Sequence, residues 1–210
     1  MKGVFVSFEG LDASGKTTQI GLLKEALEKE KIEPVITREP GGTRISERIR
    51  EILLDPAGTD MTARTEMLLY AASRAQHVDQ VIRPALKEGR VVISDRFTDS
   101  SIAYQGYGRE LGGIVGDVNR IATGGLQPDL TFLLITTPDN MRRRISPGRE
   151  DRLEAEKDEF HRKVLEGFLE IRKQDPGRIL LIDGTQSIET ISEMICGKTM
   201  ELIRRSHEGE

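Results

Sequence analysis

Tryptophan is absent from this 210-residue chain, an absence that carries no functional weight. Cysteine occurs once, as Cys196, which excludes an intrachain disulfide and a cysteine-rich zinc site. No apolar run approaches the length needed to cross a bilayer. An excess of positive charge is missing too: 31 Lys and Arg stand against 35 Asp and Glu, a net charge of −4. No global basic field draws the chain to nucleic acid, so any polyanion site must be a local cluster of Arg and Lys. Met1-Lys2-Gly3 leads straight into an apolar run without a signal-like segment. The expected setting is the cytoplasm, with neither a membrane nor a nucleic acid as partner.

What is present begins with Gly10-Leu11-Asp12-Ala13-Ser14-Gly15-Lys16-Thr17, which reads G-x-x-x-x-G-K-T. It follows the apolar run Val4–Phe8 and precedes a helical pattern, the strand–loop–helix context that a phosphate-binding loop requires. Its glycines let several backbone N–H groups converge on one anion, and the helix N-terminus adds partial positive charge. Lys16 can reach the β- and γ-phosphates of a nucleoside triphosphate, and the Thr17 hydroxyl can ligate Mg²⁺. Thr18 continues the helix start.

Four more apolar runs follow: 34–37, 90–94, 130–135 and 178–182. Near-continuous Val/Ile/Leu runs suit strands buried on both faces, as in a parallel sheet. Helical spacing fills 16–31, 46–54 and 63–87, the last with a break expected near Pro84, and 187–204 closes the pattern. This alternation predicts one doubly wound α/β domain of the P-loop NTPase type, with five parallel strands and helices on both faces. The run 142–152 carries five arginines around a Pro-Gly turn. It reads either as a solvated charged loop or as a mobile lid, spanning about 142–157, that brings guanidinium groups onto phosphates.

Ligands of open parallel sheets bind beyond the carboxyl ends of the strands. Arg38-Glu39-Pro40-Gly41-Gly42-Thr43 follows the second run, Asp95-Arg96-Phe97 the third and Asp183-Gly184-Thr185 the fifth. Asp95 stands where an acid would hold Mg²⁺ through water, or would cap the helix beginning near Asp99. Asp12 inside the loop repels polyphosphate unless a cation mediates, so pairing with Arg38 or Mg²⁺ is expected. ATP carries about four negative charges and a nucleotide phosphate about two. Lys16, Arg38, Arg96, one or two lid arginines and Mg²⁺ balance that sum, which favours a phosphate-bearing acceptor over water. A GTPase is disfavoured because no Asn-Lys pair occurs. Another nucleotide or nucleoside kinase and a nucleotide-gated switch protein are the alternatives. His77, His161 and His207 are expected on helix faces rather than in catalysis.

With these residues in hand, the chain resembles bacterial thymidylate kinases, which phosphorylate dTMP with ATP. The resemblance runs over essentially the whole length. It includes Phe8-Glu9-Gly10 with the loop, Arg38 to Thr43, Tyr70-Ala71-Ala72-Ser73-Arg74-Ala75-Gln76-His77, Asp95-Arg96-Phe97 through Ser100-Ser101 to Ala103-Tyr104-Gln105-Gly106, and Asp151-Arg152-Leu153-Glu154. It implies that Tyr70 stacks on thymine and that Arg74, Ser100, Ser101 and Gln105 line the base pocket. Tyr104 would pack beneath the deoxyribose, and Arg38 and Arg96, with Asp12 beside them, would serve the acceptor phosphate. Some relatives carry an arginine where this loop has Ala13; those without it supply charge from the lid, here from Arg149 and Arg152. Arg143 is expected beside ATP. A cis bond at Glu39–Pro40 and a homodimer are further implications.

Overall fold

Val4–Glu9 (β1) is buried along its whole length, as a Val/Phe run must be when both faces of a sheet are covered. The computed structural model describes residues 3–136 and 152–208. In it β1 pairs in parallel with Val91–Asp95 (β3) on one side and Leu130–Ile135 (β4) on the other. Val35–Arg38 (β2) adds beyond β3, and Ile179–Asp183 (β5) beyond β4. The resulting five-stranded parallel sheet has the order β2-β3-β1-β4-β5. Four of the strands end one residue beyond the apolar runs, because parallel pairing extends to polar termini: Arg38 lies opposite Asp95, and Ile135 opposite Asp183. Arg38, Asp95 and Glu9 thereby reach the same carboxyl edge.

Lys16–Lys29 (α1) packs on one face of the sheet together with the C-terminal helix. Arg44–Leu54 (α2) starts at Thr43, whose side chain accepts the Ser46 N–H. Ala63–His77 (α3) runs into a widened π-turn, Val78–Ile82, before Arg83–Lys87 (α4). The irregularity lies one turn ahead of Pro84, which has no N–H to offer the preceding turn. After β3, Thr98–Ser101 (α5) opens into a second wide turn, Ile102–Gly108, followed by Ile114–Thr123 (α6). Asp158–Gln174 (α7) and Ile188–Glu208 (α8) complete the described chain.

Two apolar layers sandwich the sheet. Val4, Val6, Phe8 and Ile93 meet Leu23 and Leu27 of α1 and Ile195 and Ile203 of α8. On the opposite face Phe5 and Val92 meet Val78, Ile82 and Phe97, while Leu133 and Ile179 meet Phe160, Val164, Phe168 and Ile171 of α7. Helices α6 and α7 were not among the expected helices, although the four core residues of α7 recur at helical spacing.

Candidate active site

Gly10–Thr17 leaves β1 and closes over the sheet edge before α1 begins. Gly10 has φ 131°, and a Cβ there would lie 2.2 Å from the Leu134 carbonyl oxygen, so only glycine lets the loop pass β4. Ala13 through Thr18 line a cleft of about 430 Å³. Opposite the loop the cleft is walled by Arg38, Glu39, Arg50, Asp95 and Arg96, and at its far end by Gly184, Gln186, Ile188 and Ile191. The Leu11 side chain is buried in the core with Tyr104 and Leu133. The Lys16 ammonium donates to the Gly10 and Leu11 carbonyls at 3.1 and 2.9 Å. Burial, and then the nearby Arg96, lower its pKa to about 8 despite Asp12, Asp95 and Glu9.

Asp12 pairs not with Arg38 but with Arg96, whose Nη2 donates to Oδ1 at 2.6 Å. The Tyr104 hydroxyl reaches Oδ2 at 3.3 Å. Burial raises the Asp12 carboxyl, but Arg96 and Lys16 outweigh it and hold the group at about 2. Arg96 also donates to the Gly10 carbonyl and the Ser100 hydroxyl, and its guanidinium sits 5.2 Å from the Tyr104 ring centre. Its backbone adopts φ 72°, an uncommon conformation for a side-chain-bearing residue, pinned by Arg96 N–H to the Phe8 carbonyl. Beneath it Glu9 is fully buried and accepts the Phe97 N–H and the Ser100 hydroxyl. Burial, reinforced by Asp99, pushes the Glu9 pKa upward.

Arg96 is shared with a second, smaller cavity of about 80 Å³. That cavity collects Asp12, Tyr70, Arg74, Ser100, Ser101, Tyr104 and Gln105, residues expected around dTMP; Arg38, expected with them, lines the larger cleft instead. Arg74 is buried and heavily committed. It donates to Glu39 at 2.7 Å, to Ser101 and Asn119 through Nη1, and to the Phe97 carbonyl through Nη2. These contacts use four of the five guanidinium hydrogens and leave one on Nη2. The Glu39–Pro40 bond is cis. His77, at the C-terminal end of α3, is fully buried between Glu39 at 2.9 Å and Thr37 at 2.6 Å.

Arg38 lies at the cleft mouth, half-exposed, and pairs with Glu47 at 2.9 Å. Asp95 does not cap α5, which begins after Phe97 without a side-chain cap. Its Oδ1 is buried without a hydrogen-bond partner, and Asp95 lines the cleft with Thr17. An orphaned carboxylate oxygen beside a hydroxyl fits an Mg²⁺ ion that takes its other ligands from phosphate and water. Among the described residues no cluster of three or more His, Cys, Asp or Glu could hold a metal by protein ligands alone.

Of the expected lid arginines, Arg143 and Arg149 lie outside the described residues. Arg152 is placed away from the phosphate cleft: it donates to the Leu53 carbonyl at 3.0 Å and pairs with Glu66 at 2.6 Å. Sequence reasoning missed Arg50, which lines both cavities and donates to the Pro40 carbonyl at 2.9 Å. The signal was helical spacing, since Glu47, Arg50 and Leu54 share one face of α2. It also missed Glu66, a buried carboxylate behind the pocket, for which an acid in a helix's first turn gave no special sign.

A family model described as thymidylate kinase matches residues 8–195. A thymidylate kinase of Lactobacillus helveticus is 52% identical over 203 residues, covering 93% of this chain and 94% of the relative. One of an Exiguobacterium species is 48% identical, covering 98% of both chains. The crystal structure of thymidylate kinase from Ehrlichia chaffeensis superposes with a TM-score of 0.77 at 31% identity, over 95% of this chain and 99% of that one.

Proposed function

The chain belongs to the thymidylate kinase family, and on that premise we propose which of its residues carry the reaction. The enzyme transfers the γ-phosphoryl group of ATP to dTMP, giving dTDP and ADP. The observation that carries the assignment of roles is Arg96, which lines the nucleotide cleft and the smaller pocket alike. The loop Gly10–Thr18 takes the triphosphate, with Lys16 on its β- and γ-phosphates. The apolar end at Ile188 and Ile191 takes the adenine. Tyr70, Arg74, Ser101, Tyr104 and Gln105 take the thymidine, and Arg96, Arg50 and Arg38 its phosphate.

The acceptor phosphate has a second pKa of about 6 and is already mostly a dianion, so no general base is needed. One of its oxygens attacks the γ-phosphorus in line as the bond to the β,γ-bridging oxygen breaks. Catalysis is then positioning and charge neutralisation. Asp12 holds Arg96 in the orientation that spans both sites. Mg²⁺ bound near Thr17 and Asp95 would supply further neutralisation of the phosphates. Arg143 and Arg149 would close as a lid over 142–157 and complete the cation set when both substrates are present. Arg152 would act through Glu66 rather than on phosphate.

We also assign a cytoplasmic homodimer that serves dTTP synthesis. Ile45 and Ile52 on α2, Leu68 on α3, and Ile114 and Ile121 on α6 are exposed apolar side chains on neighbouring helices, which supports a self-association face. No helix of the described residues is long and apolar enough to cross a membrane. The deciding experiment is a coupled assay with ATP and Mg²⁺ across all nucleoside monophosphates. Turnover confined to dTMP and close analogues supports the reading; binding of ATP without turnover on any of them would return the chain to the switch class. Sedimentation equilibrium of Ile121→Asp against the parent tests the dimer.

A further inference from the structure

The Gln105 side chain forms part of the base pocket, yet only one end of its amide has a protein partner. Nε2 donates to Glu66 Oε1 at 2.8 Å, whereas Oε1 is buried with no hydrogen bond. Glu66 does not line the pocket. It is almost fully buried in the first turn of α3 and is held from several sides. Arg109 donates to it through Nε at 3.2 Å and Nη2 at 3.1 Å, and Arg152 through Nη1 at 2.6 Å. Arg109 is itself braced against the Phe160 ring at 4.6 Å and against Glu156.

A carboxylate only accepts hydrogen bonds. Turning the Gln105 amide over would set its oxygen against Glu66, acceptor against acceptor, in a buried site where such a contact is expensive. The two arginines prevent the carboxylate from rotating away to relieve it. Only one amide orientation is therefore compatible with the surroundings, and it leaves the oxygen as the unpaired group.

We infer that Glu66 is a positioning residue that sets base specificity: it holds the Gln105 amide so that its oxygen serves the pocket. The site then takes a pyrimidine whose ring nitrogen carries a hydrogen between two carbonyls. It rejects a pyrimidine whose ring nitrogen is itself an acceptor. The inference rests on the kinase reading above, but it concerns a residue that touches no substrate.

The test compares the parent enzyme with Glu66→Gln, whose amide can present either end to Gln105. Dissociation constants for dTMP and dCMP are measured by calorimetry, with KM and kcat alongside. The ratio of the dCMP constant to the dTMP constant is expected to fall about tenfold or more. The change should appear in KM for dTMP, with kcat at saturation held within about threefold. An unchanged ratio overturns the role of Glu66. Arg109→Gln removes one of the two arginines on the same carboxylate while Arg152 keeps its contact, gives Gln105 no new partner, and is expected to lower the ratio far less than Glu66→Gln. If it loosens selectivity as much as Glu66→Gln, general slackening rather than amide orientation is responsible, and the inference fails.

Should Glu66→Gln not fold, ¹⁵N spectra of the ligand-free parent decide. A slowly exchanging Gln105 side-chain NH₂ supports the lock, and exchange at the rate of a solvent-facing glutamine refutes it. A parent enzyme that ignores dTMP overturns the kinase reading itself. One that prefers dTMP while Glu66→Gln keeps that preference overturns only the inference.

Discussion

At the scale of the residue, charge balance inside a partly closed cleft governs this protein. Lys16 can hold phosphate only as an ammonium, and burial has already lowered its pKa to about 8. Below that pH the group is charged before ATP arrives; above it, binding must recruit a proton. ATP affinity is therefore expected to be flat below pH 8 and to fall as pH rises through it, approaching tenfold per unit. Calorimetry in buffers of different ionisation enthalpy should register proton uptake on ATP binding above pH 8 and little below pH 7. Arg96 is the other pivotal charge. Arg96→Ala is expected to lower kcat by about 10²- to 10³-fold, as loss of one preorganised charge does. ATP affinity should change less than about tenfold, because the Lys16 contacts and the loop backbone remain. Stopped-flow single turnovers with separate ATP titrations check both statements; near-normal turnover removes Arg96 from the site. These residues were legible in the sequence because phosphate chemistry demands Gly-rich backbone and cations directly after buried strands. What was not legible was their pairing. Asp12 was expected with Arg38 or Mg²⁺, and β2 instead delivers Arg38 to Glu47 while the positive φ at Arg96 turns that guanidinium onto Asp12.

At the scale of the element, the wide turn Ile102–Gly108 decides where Tyr104 and Gln105 stand, and α7 presses on it. Gly167 of α7 is the contact point: a Cβ there would lie 2.8 Å from the Tyr107 ring. Gly167→Ala is expected to destabilise the protein by about 1–3 kcal/mol through overpacking. It should also raise KM for dTMP, because the displaced ring belongs to the turn that carries the pocket. Gly21 on α1 offers the contrast, since a Cβ added there meets nothing within 4 Å. Gly21→Ala should stabilise by about 0.5–1 kcal/mol by helix propensity alone. Denaturant unfolding of the two variants beside the parent checks the signs. The same element shows why α7 escaped sequence reasoning. It follows the arginine-rich stretch, its polar residues outnumber its apolar ones, and its meaning comes from docking on Tyr104 and Leu133.

At the scale of the whole molecule, the sheet is braced from below its β4–β5 side by a buried ion pair. Arg178, entering β5, donates to both oxygens of Asp99 at 2.7 and 3.0 Å. Asp99→Asn leaves Arg178 with Asp175 as its acid partner among the described residues, and should lower stability by about 3 kcal/mol. A fall in Tm of several degrees in calorimetry would bear this out, and an unchanged Tm would show the pair to be energetically neutral. The phosphate loop, the parallel α/β class, the rim cations and the family were settled by the sequence itself, because each depends on residue type and short spacing along the chain. The exchange of partners at Asp12, the commitment of Arg74 to Glu39, Ser101 and Asn119, the presence of Arg50 in both cavities and the removal of Arg152 to Glu66 were decided only in three dimensions. The contacts of Arg74 with Glu39, Ser101 and Asn119 and of Arg96 with Asp12 join residues 27 to 84 positions apart. Local spacing can announce a charge, but which opposite charge it meets depends on how strands register and helices dock.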